Sequence, residues 1–271
     1  MLGNHAASHK TLAEMVDALQ ARGCYTFDRK EALAELQVNE VVLKRAVARL
    51  AARTRIVVPK RGFYVIVPLE YRAAGSPPAS WFIDDLMRHL GVPYYVGVLS
   101  AAGIYGAAHQ QPQEYQVVTE VARRPIVAGR VRIRLLGKTA LGQTSTAPIK
   151  TETGTMAVST PEATALDLVR YASTAAGGLG NVATVLTELA ERLDPNHLVE
   201  AARVETSVAI IQRLGHLLDL VGAQERTEGL AKMLADQGVR NTPLRPGRPI
   251  RGCSTDRRWN VIANEAVEVD L

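Results

Sequence analysis

The sequence predicts an α+β protein that opens with a winged helix-turn-helix and continues into a larger mixed α/β and then helical domain. Three observations carry that expectation. Three capped amphipathic segments and a hairpin pattern occur in order before residue 72, a small-residue and proline run follows at 73–79, and strand-like alternation gives way beyond it to helical stripes.

Leu12, Met15, Val16 and Leu19 fall on one face of a helix, and Gly23 is placed to stop it. Asp28 opens a second helix, with Glu31 completing a capping box and Leu33 and Leu36 on the inner face. Asn39 is the next N-cap, flanked by Val38 and Leu43 at the positions of a hydrophobic staple, and this third helix runs to about Arg53. Ile56-Val57-Val58 and Phe63-Tyr64-Val65-Ile66-Val67 then form a hairpin around Pro59-Lys60-Arg61-Gly62, with Gly62 permitting the tight turn.

The third helix carries the chemistry. Leu43, Ala46, Val47 and Leu50 share one side, and Lys44, Arg45 and Arg49 lie on the other. From Lys44 to Arg61 there are seven basic residues (Lys44, Arg45, Arg49, Arg53, Arg55, Lys60 and Arg61) and no Asp or Glu. A helix of this kind can enter a major groove, where arginine pairs with guanine edges or with phosphates. Lys44 and Arg45 are the first candidates for the groove. Arg53 and Arg55 are placed for phosphates or for the helix C-terminus, and Lys60 and Arg61 for backbone or minor groove. Val41 and Val42 depart from the pattern, since many such helices place polar residues there.

Ala73-Ala74-Gly75-Ser76-Pro77-Pro78 reads as a linker, which sets expected domains of 1–72 and 80–271, the latter mixed to 175 and helical from 176. Trp81 to Leu86 starts a short helix, and Ser100 to His109 is a small-residue helix. Strands are expected at Glu114–Thr119 and Val131–Leu136. Thr160 and Pro161 cap a helix, Asn181 caps another beyond the break at Gly177-Gly178, and Asp194-Pro195 caps a third. Ile210, Leu214, Leu217 and Leu218 mark one more, stopped by Gly222, before an Arg/Pro-rich tail that ends in a short apolar strand.

Composition narrows the class. The chain has 271 residues, of which 47% are hydrophobic and 22% charged, with a net charge of +5 that suits a polyanionic partner. Cys24 and Cys253 are too far apart for a disulfide framework or a metal pair, so a reduced cytoplasmic setting is expected. No signal core and no membrane-length apolar run is present. The six histidines show no metal spacing, and neither a P-loop nor a GxSxG motif occurs, so no catalytic, cofactor or metal site is expected. Gly75-Ser76 ahead of Asp84-Asp85 superficially matches a nucleotidyltransferase signature, but adjacent aspartates cannot face one metal from one side of a strand.

Further motifs bear on family. They are Lys60-Arg61-Gly62-Phe63-Tyr64, the stretch from Tyr94-Tyr95 to Tyr105-Gly106, the run from Thr160 to Leu168, Gly177-Gly178-Leu179, and the segment from Asp256 to Asn264. In this order the chain resembles the AbiEi family, the antitoxins of AbiE-type (type IV) toxin–antitoxin abortive-infection systems. The resemblance implies a bifunctional protein. Its winged helix would repress its own promoter at inverted repeats, with molecules cooperating on double-stranded DNA. Its second domain would counter a nucleotidyltransferase-like toxin without a stable complex.

Two other basic clusters stand out: Arg123, Arg124, Arg130, Arg132, Arg134 and Lys138, and in the tail Arg240, Arg245, Arg248, Arg251, Arg257 and Arg258. The five arginines of the first cluster are the candidate antitoxin surface; both clusters are otherwise explained by solubility and local pairing. A plain winged-helix regulator whose second domain senses a small molecule or a protein is the alternative reading.

Overall fold

Local capping signals decide where the first helices start. The computed structural model describes residues 10–107 and 113–268, which leaves His109 and the end of the small-residue segment outside the described residues. Helix α1 (Leu12–Ala21) begins at a Thr11–Glu14 capping box, and Gly23 follows its end at φ +73°. Strand β1 (Thr26–Asp28) leads directly into α2 (Arg29–Leu36), whose capping box is Asp28 with Glu31. Asn39 accepts the Val42 amide to cap α3 (Glu40–Ala52). Strands β2 (Ile56–Lys60) and β3 (Phe63–Ile66) form the hairpin. The sheet order is β1-β3-β2, with Phe27 opposite Tyr64 and Val57 opposite Val65. Strand β1 is not expected from the sequence, because three residues are too few to show alternation. The three helices bury Leu12, Met15, Val16, Ala32, Leu36, Leu43 and Leu50 against Phe27, Ile56, Tyr64 and Ile66.

The 73–79 run is not a free spacer. Ser76 is buried, the Ala74 carbonyl accepts the Arg130 amide at 2.8 Å, and a Cβ on Gly129 would lie 2.5 Å from that carbonyl. Small residues here serve close backbone packing, which composition alone does not distinguish from flexibility. Helix α4 (Ile83–Leu90) follows, later than expected, after a 3-10 turn at Ala79–Trp81. The chain divides into two compact units. The first runs to Pro93 and includes Arg124–Arg134 and Ile149–Met156; the second comprises Tyr94–Arg123, Leu135–Pro148 and the chain from Ala157 onward.

Beyond Pro93 come β4 (Tyr94–Val96), α5 (Val98–Ile104), β5 (Tyr115–Thr119), β6 (Arg123–Ala128), β7 (Val131–Gly137), β8 (Thr146–Lys150) and β9 (Thr155–Ser159). They form one six-stranded sheet of order β6-β7-β5-β4-β9-β8, in which β4 pairs antiparallel with β5 and parallel with β9. Val98 starts α5 at φ +54°, a strained conformation for a β-branched residue. The Gln116 side chain holds this turn by accepting the Leu99 amide and donating to the Ala175 carbonyl.

Five helices complete the second unit: α6 (Pro161–Arg170), α7 (Leu179–Leu189), α8 (Pro195–Arg203), α9 (Val208–Leu220) and α10 (Glu228–Ala235). Thr160 and Asp194 cap α6 and α8 as expected. Asn181 does not cap α7. Gly178, at φ +96°, holds that position, and Asn181 instead donates its side-chain amide to the Ala176 carbonyl. Only glycine takes that φ cheaply, so the helix starts earlier than the polar residue suggests.

The Arg/Pro-rich tail is fastened down by β10 (Thr242–Pro243), β11 (Thr255–Asp256) and β12 (Val261–Ile262), ordered β10-β12-β11. Trp259 is fully buried and donates its indole N–H to Asp219 at 2.8 Å, while Gln212 donates to the carbonyls of Arg240 and Trp259. Deeper in the unit, Asp167 is completely buried and accepts from Lys138 Nζ at 2.9 Å and Tyr95 Oη at 2.7 Å. Burial pushes the Asp167 carboxyl up against the opposing pull of Lys138, and burial followed by the Asp167 charge pushes the Tyr95 hydroxyl up.

Two stability effects are expected. Gly215 lies under Trp259, where a Cβ would approach the ring to 2.3 Å, so Gly215→Ala should cost about 1–3 kcal/mol in urea unfolding and expose the tail to limited proteolysis. Lys138→Met should cost about 3–5 kcal/mol by stranding Asp167, whereas the Lys138→Met, Asp167→Asn double variant should lose much less than the sum of the single changes. Strict additivity in that thermodynamic cycle would mean the pair is not a coupled unit.

Candidate nucleic-acid interface

Helix α3 divides cleanly around its circumference. Leu43 and Leu50 are buried, and Ala46, Val47 and Ala51 are packed against the same core. Val41, Val42, Lys44, Arg45, Ala48, Arg49, Ala52 and Arg53 are all exposed. At helical spacing those residues occupy about half the circumference. Val41, Arg45, Ala48 and Ala52 run along the middle of the exposed half, and Lys44, Arg49 and Arg53 lie toward its edges. The two alanines keep the centre of this face thin, so a helix about 10–12 Å across can approach the floor of a groove about 12 Å wide.

Lys44, Arg45, Arg49 and Arg53 make no ion pair with any described residue. The acid nearest the start of the helix, Glu40, is engaged by Arg29 at 3.7 Å. Arg55 differs from the other six candidates. It is partly buried and bonded to Asp17 of α1, which gives it a local structural partner.

The hairpin tip is short. Arg61 and Gly62 are its two loop residues, with Gly62 at φ +82°. Arg61 is exposed and Lys60 half-exposed. The turn is also braced: the Gly62 carbonyl accepts the Arg29 amide at 2.9 Å, and the Phe63 ring lies 5.3 Å from that of His89. The tip therefore presents two cations on a fixed turn rather than on a long loop.

The other basic residues sort differently. Arg123 and Arg124 are exposed on β6, Arg130 is exposed in the following turn, and on β7 exposed Arg132 and half-exposed Arg134 alternate with buried Ile133 and Leu135. In the tail, Arg245 and Arg248 pair with Glu265, and Arg258 pairs with Asp219 and Glu228. Asp84 and Asp85 sit in the first turn of α4, both paired with Arg88, and Asp85 also accepts the Thr26 hydroxyl. Among the described residues no group of His, Cys, Asp and Glu is arranged to hold a metal, and no helix is long and apolar enough to cross a membrane.

Against this geometry, residues 95–220 match the family described as the AbiEi antitoxin C-terminal domain. The chain carries an AbiEi-family antitoxin domain. The match starts at Tyr95 of β4 and ends with α9, so the buried Lys138–Asp167–Tyr95 cluster lies within the AbiEi domain and the cationic helix α3 lies outside it. The crystal structure of the RV2827C protein from Mycobacterium tuberculosis has a similar fold, with a TM-score of 0.67 and 17% identity over 97% of this chain and 95% of that one. No curated protein matches the sequence.

Charge and large apolar residues alone mark Val41 and Val42 as a departure from pattern and leave Ala48 and Ala52 unnoticed. At 100° per residue Ala48 and Ala52 fall beside Val41 and Arg45, so the small central ridge is present in the sequence of α3.

Proposed function

We propose that the chain is a cytoplasmic antitoxin and transcriptional autorepressor of a type IV toxin–antitoxin system. The first unit acts as a winged helix-turn-helix that binds its own promoter, and the AbiEi domain counters a nucleotidyltransferase-like toxin. The element order α1-β1-α2-α3-β2-β3 and the three-stranded β1-β3-β2 sheet support the winged-helix reading.

One observation carries the DNA reading: half of α3 is exposed and cationic, its one exposed carboxylate, Glu40, lies at the start of the helix and is engaged by Arg29, and its cations make no ion pair among the described residues. Surface cations add little to folding, so their concentration on one thin helical face is best accounted for by a polyanionic partner. Arg45, central on that face, reads base edges. Lys44, Arg49 and Arg53 meet phosphates along the edges of the groove, and Lys60 and Arg61 meet the backbone beside it. Val41 and Val42 offer apolar contacts of the kind that thymine methyl groups accept. Arg55 belongs to the fold through Asp17.

The test is binding to the duplex upstream of its own gene, followed by fluorescence anisotropy across a salt series. Arg45→Ala should cost about 1–3 kcal/mol and relax sequence preference. Lys44→Ala and Arg49→Ala should weaken all sequences alike and reduce the log–log salt slope by about 0.9 for each phosphate no longer neutralised. Arg55→Gln should leave binding unchanged. Salt-insensitive, sequence-blind association would overturn the reading. On the antitoxin side, charge reversal at Arg123, Arg124, Arg130, Arg132 and Arg134 should spare promoter binding and abolish growth rescue when the toxin is co-expressed. Unchanged rescue by a folded variant would remove that surface from the account.

A further inference from the structure

A cavity of about 130 Å³ opens in the second unit between the end of α6, the start of α7, α9 and residues 244–246 of the tail. Its polar lining is Arg170, Ser173, Gly178, Arg213 and Arg245, and no carboxylate lines it. Three guanidinium groups around one small space are expensive to assemble unless something negative shares it.

Glu205 and Glu265 already pair with Arg170 and Arg245, which leaves Arg213 as the arginine of this lining without a carboxylate. Arg213 is half-buried and donates only to neutral oxygens, Nε to the Pro243 carbonyl at 2.9 Å and a terminal nitrogen to Thr242 Oγ1 at 3.2 Å. It has no carboxylate partner among the described residues, and burial pulls its pKa down, as expected of a cation that lacks a counter-charge. Arg170 spends one terminal nitrogen on Glu205, but its Nε is buried with no hydrogen-bond partner. Arg245 gives Glu265 one nitrogen at 3.0 Å.

The eleven-residue helix α7 starts at this cavity. Its N-cap is Gly178, which has no side chain to satisfy the first-turn amides. Those amides and the positive end of the helix favour an anion. Ser173 adds a hydroxyl to the same lining.

Size selects the ligand class. Pockets for drug-sized ligands run to about 300–1,000 Å³, so this one takes a single tetrahedral oxyanion and not a whole nucleotide. Arginine's planar fork suits phosphate oxygens, which accept from several donors at once. We propose that this cavity is a phosphate-binding site that holds inorganic phosphate or the terminal phosphate of a small phosphate ester, with Arg213, Arg170 Nε, Arg245 and the amides at the start of α7 as its donors. The site lies in the second unit and is independent of the DNA-binding reading, since none of its donors belongs to α3 or the hairpin tip.

The test uses the full chain, labelled with nitrogen-15 and titrated with inorganic phosphate at constant ionic strength. Saturable shifts are expected at the Leu179, Gly180 and Asn181 amides and at Arg213 Nε, with thermal stability rising as phosphate saturates the site. Arg213→Gln should weaken phosphate binding about tenfold or more, and Arg45→Ala should not change it. Because Arg213 also holds the tail, Ser173→Ala provides a second variant that leaves those tail bonds intact and should still weaken binding. Parallel titrations with a nucleoside triphosphate and with chloride separate the sources. Tighter binding of the triphosphate at the same amides identifies a phosphate ester as the ligand, and tighter binding of inorganic phosphate identifies the free ion. Shifts that grow linearly without saturating, that chloride reproduces, or that appear on α3 and not on α7 would overturn the proposal.

Discussion

The first unit depends on the burial of one stripe of α3. Leu43 and Leu50 are almost completely removed from water, with Val47 packed between them, and each fully buried leucine contributes about 1.5–3 kcal/mol. An α-helix repeats every 3.6 residues, so sinking that stripe fixes the roll of the helix and leaves Val41, Arg45, Ala48, Arg49 and Ala52 no direction but outward. The Asn39 cap sets the start of the helix, and the paired Arg29 and Glu40 lie beside it. The cationic face is thus positioned by apolar contacts made on the opposite side. Its own cations make no ion pair among the described residues.

The second unit manages charge in the reverse way. Several of its polar groups are drawn inward and satisfied there: Lys138 and Tyr95 on Asp167, the Trp259 indole on Asp219, and Gln212 across three carbonyls of the tail. Several of the tail arginines that look like a basic patch in one dimension are spent on such bonds, as Arg245 and Arg248 are on Glu265 and Arg258 is on Asp219 and Glu228. Arg213 differs from them as a half-buried cation facing only neutral oxygens, and Arg170 Nε is buried with no hydrogen-bond partner. Counting charges along a chain therefore says little about where charge is available, because a buried ion pair and an exposed cation are identical in sequence and opposite in energetic meaning.

In both halves of the chain the backbone is constrained at particular points by distant residues. The short hairpin tip is braced through the Gly62 carbonyl and the Phe63–His89 stack, so its cations occupy a narrow range of positions. Val98 holds a left-handed conformation that its branched side chain disfavours, and this persists because Gln116 bonds both the start of α5 and the Ala175 carbonyl. In each case a local geometry that the residues would not select by themselves is imposed by a partner far along the chain.

Features that neighbouring residues settle among themselves were legible in the amino-acid order. These are the Asp28–Glu31 box, the Asn39, Thr160 and Asp194 caps, the apolar stripes of α1, α3 and α9, and the hairpin around Arg61 and Gly62. Such signals lie within one or two turns, where spacing and hydrogen-bonding groups can be read directly. The existence of β1 was not legible, since three residues become a strand only by pairing with β3. Nor was it legible that 73–79 packs against the Gly129 turn, that Gly178 rather than Asn181 starts α7, that Arg55 is tied to Asp17, or that the tail closes over Gly215 through Trp259. Most of these rest on groups distant in sequence, and no local periodicity records which ones meet. Folding brings them together because buried surface and satisfied polar atoms are properties of the whole chain.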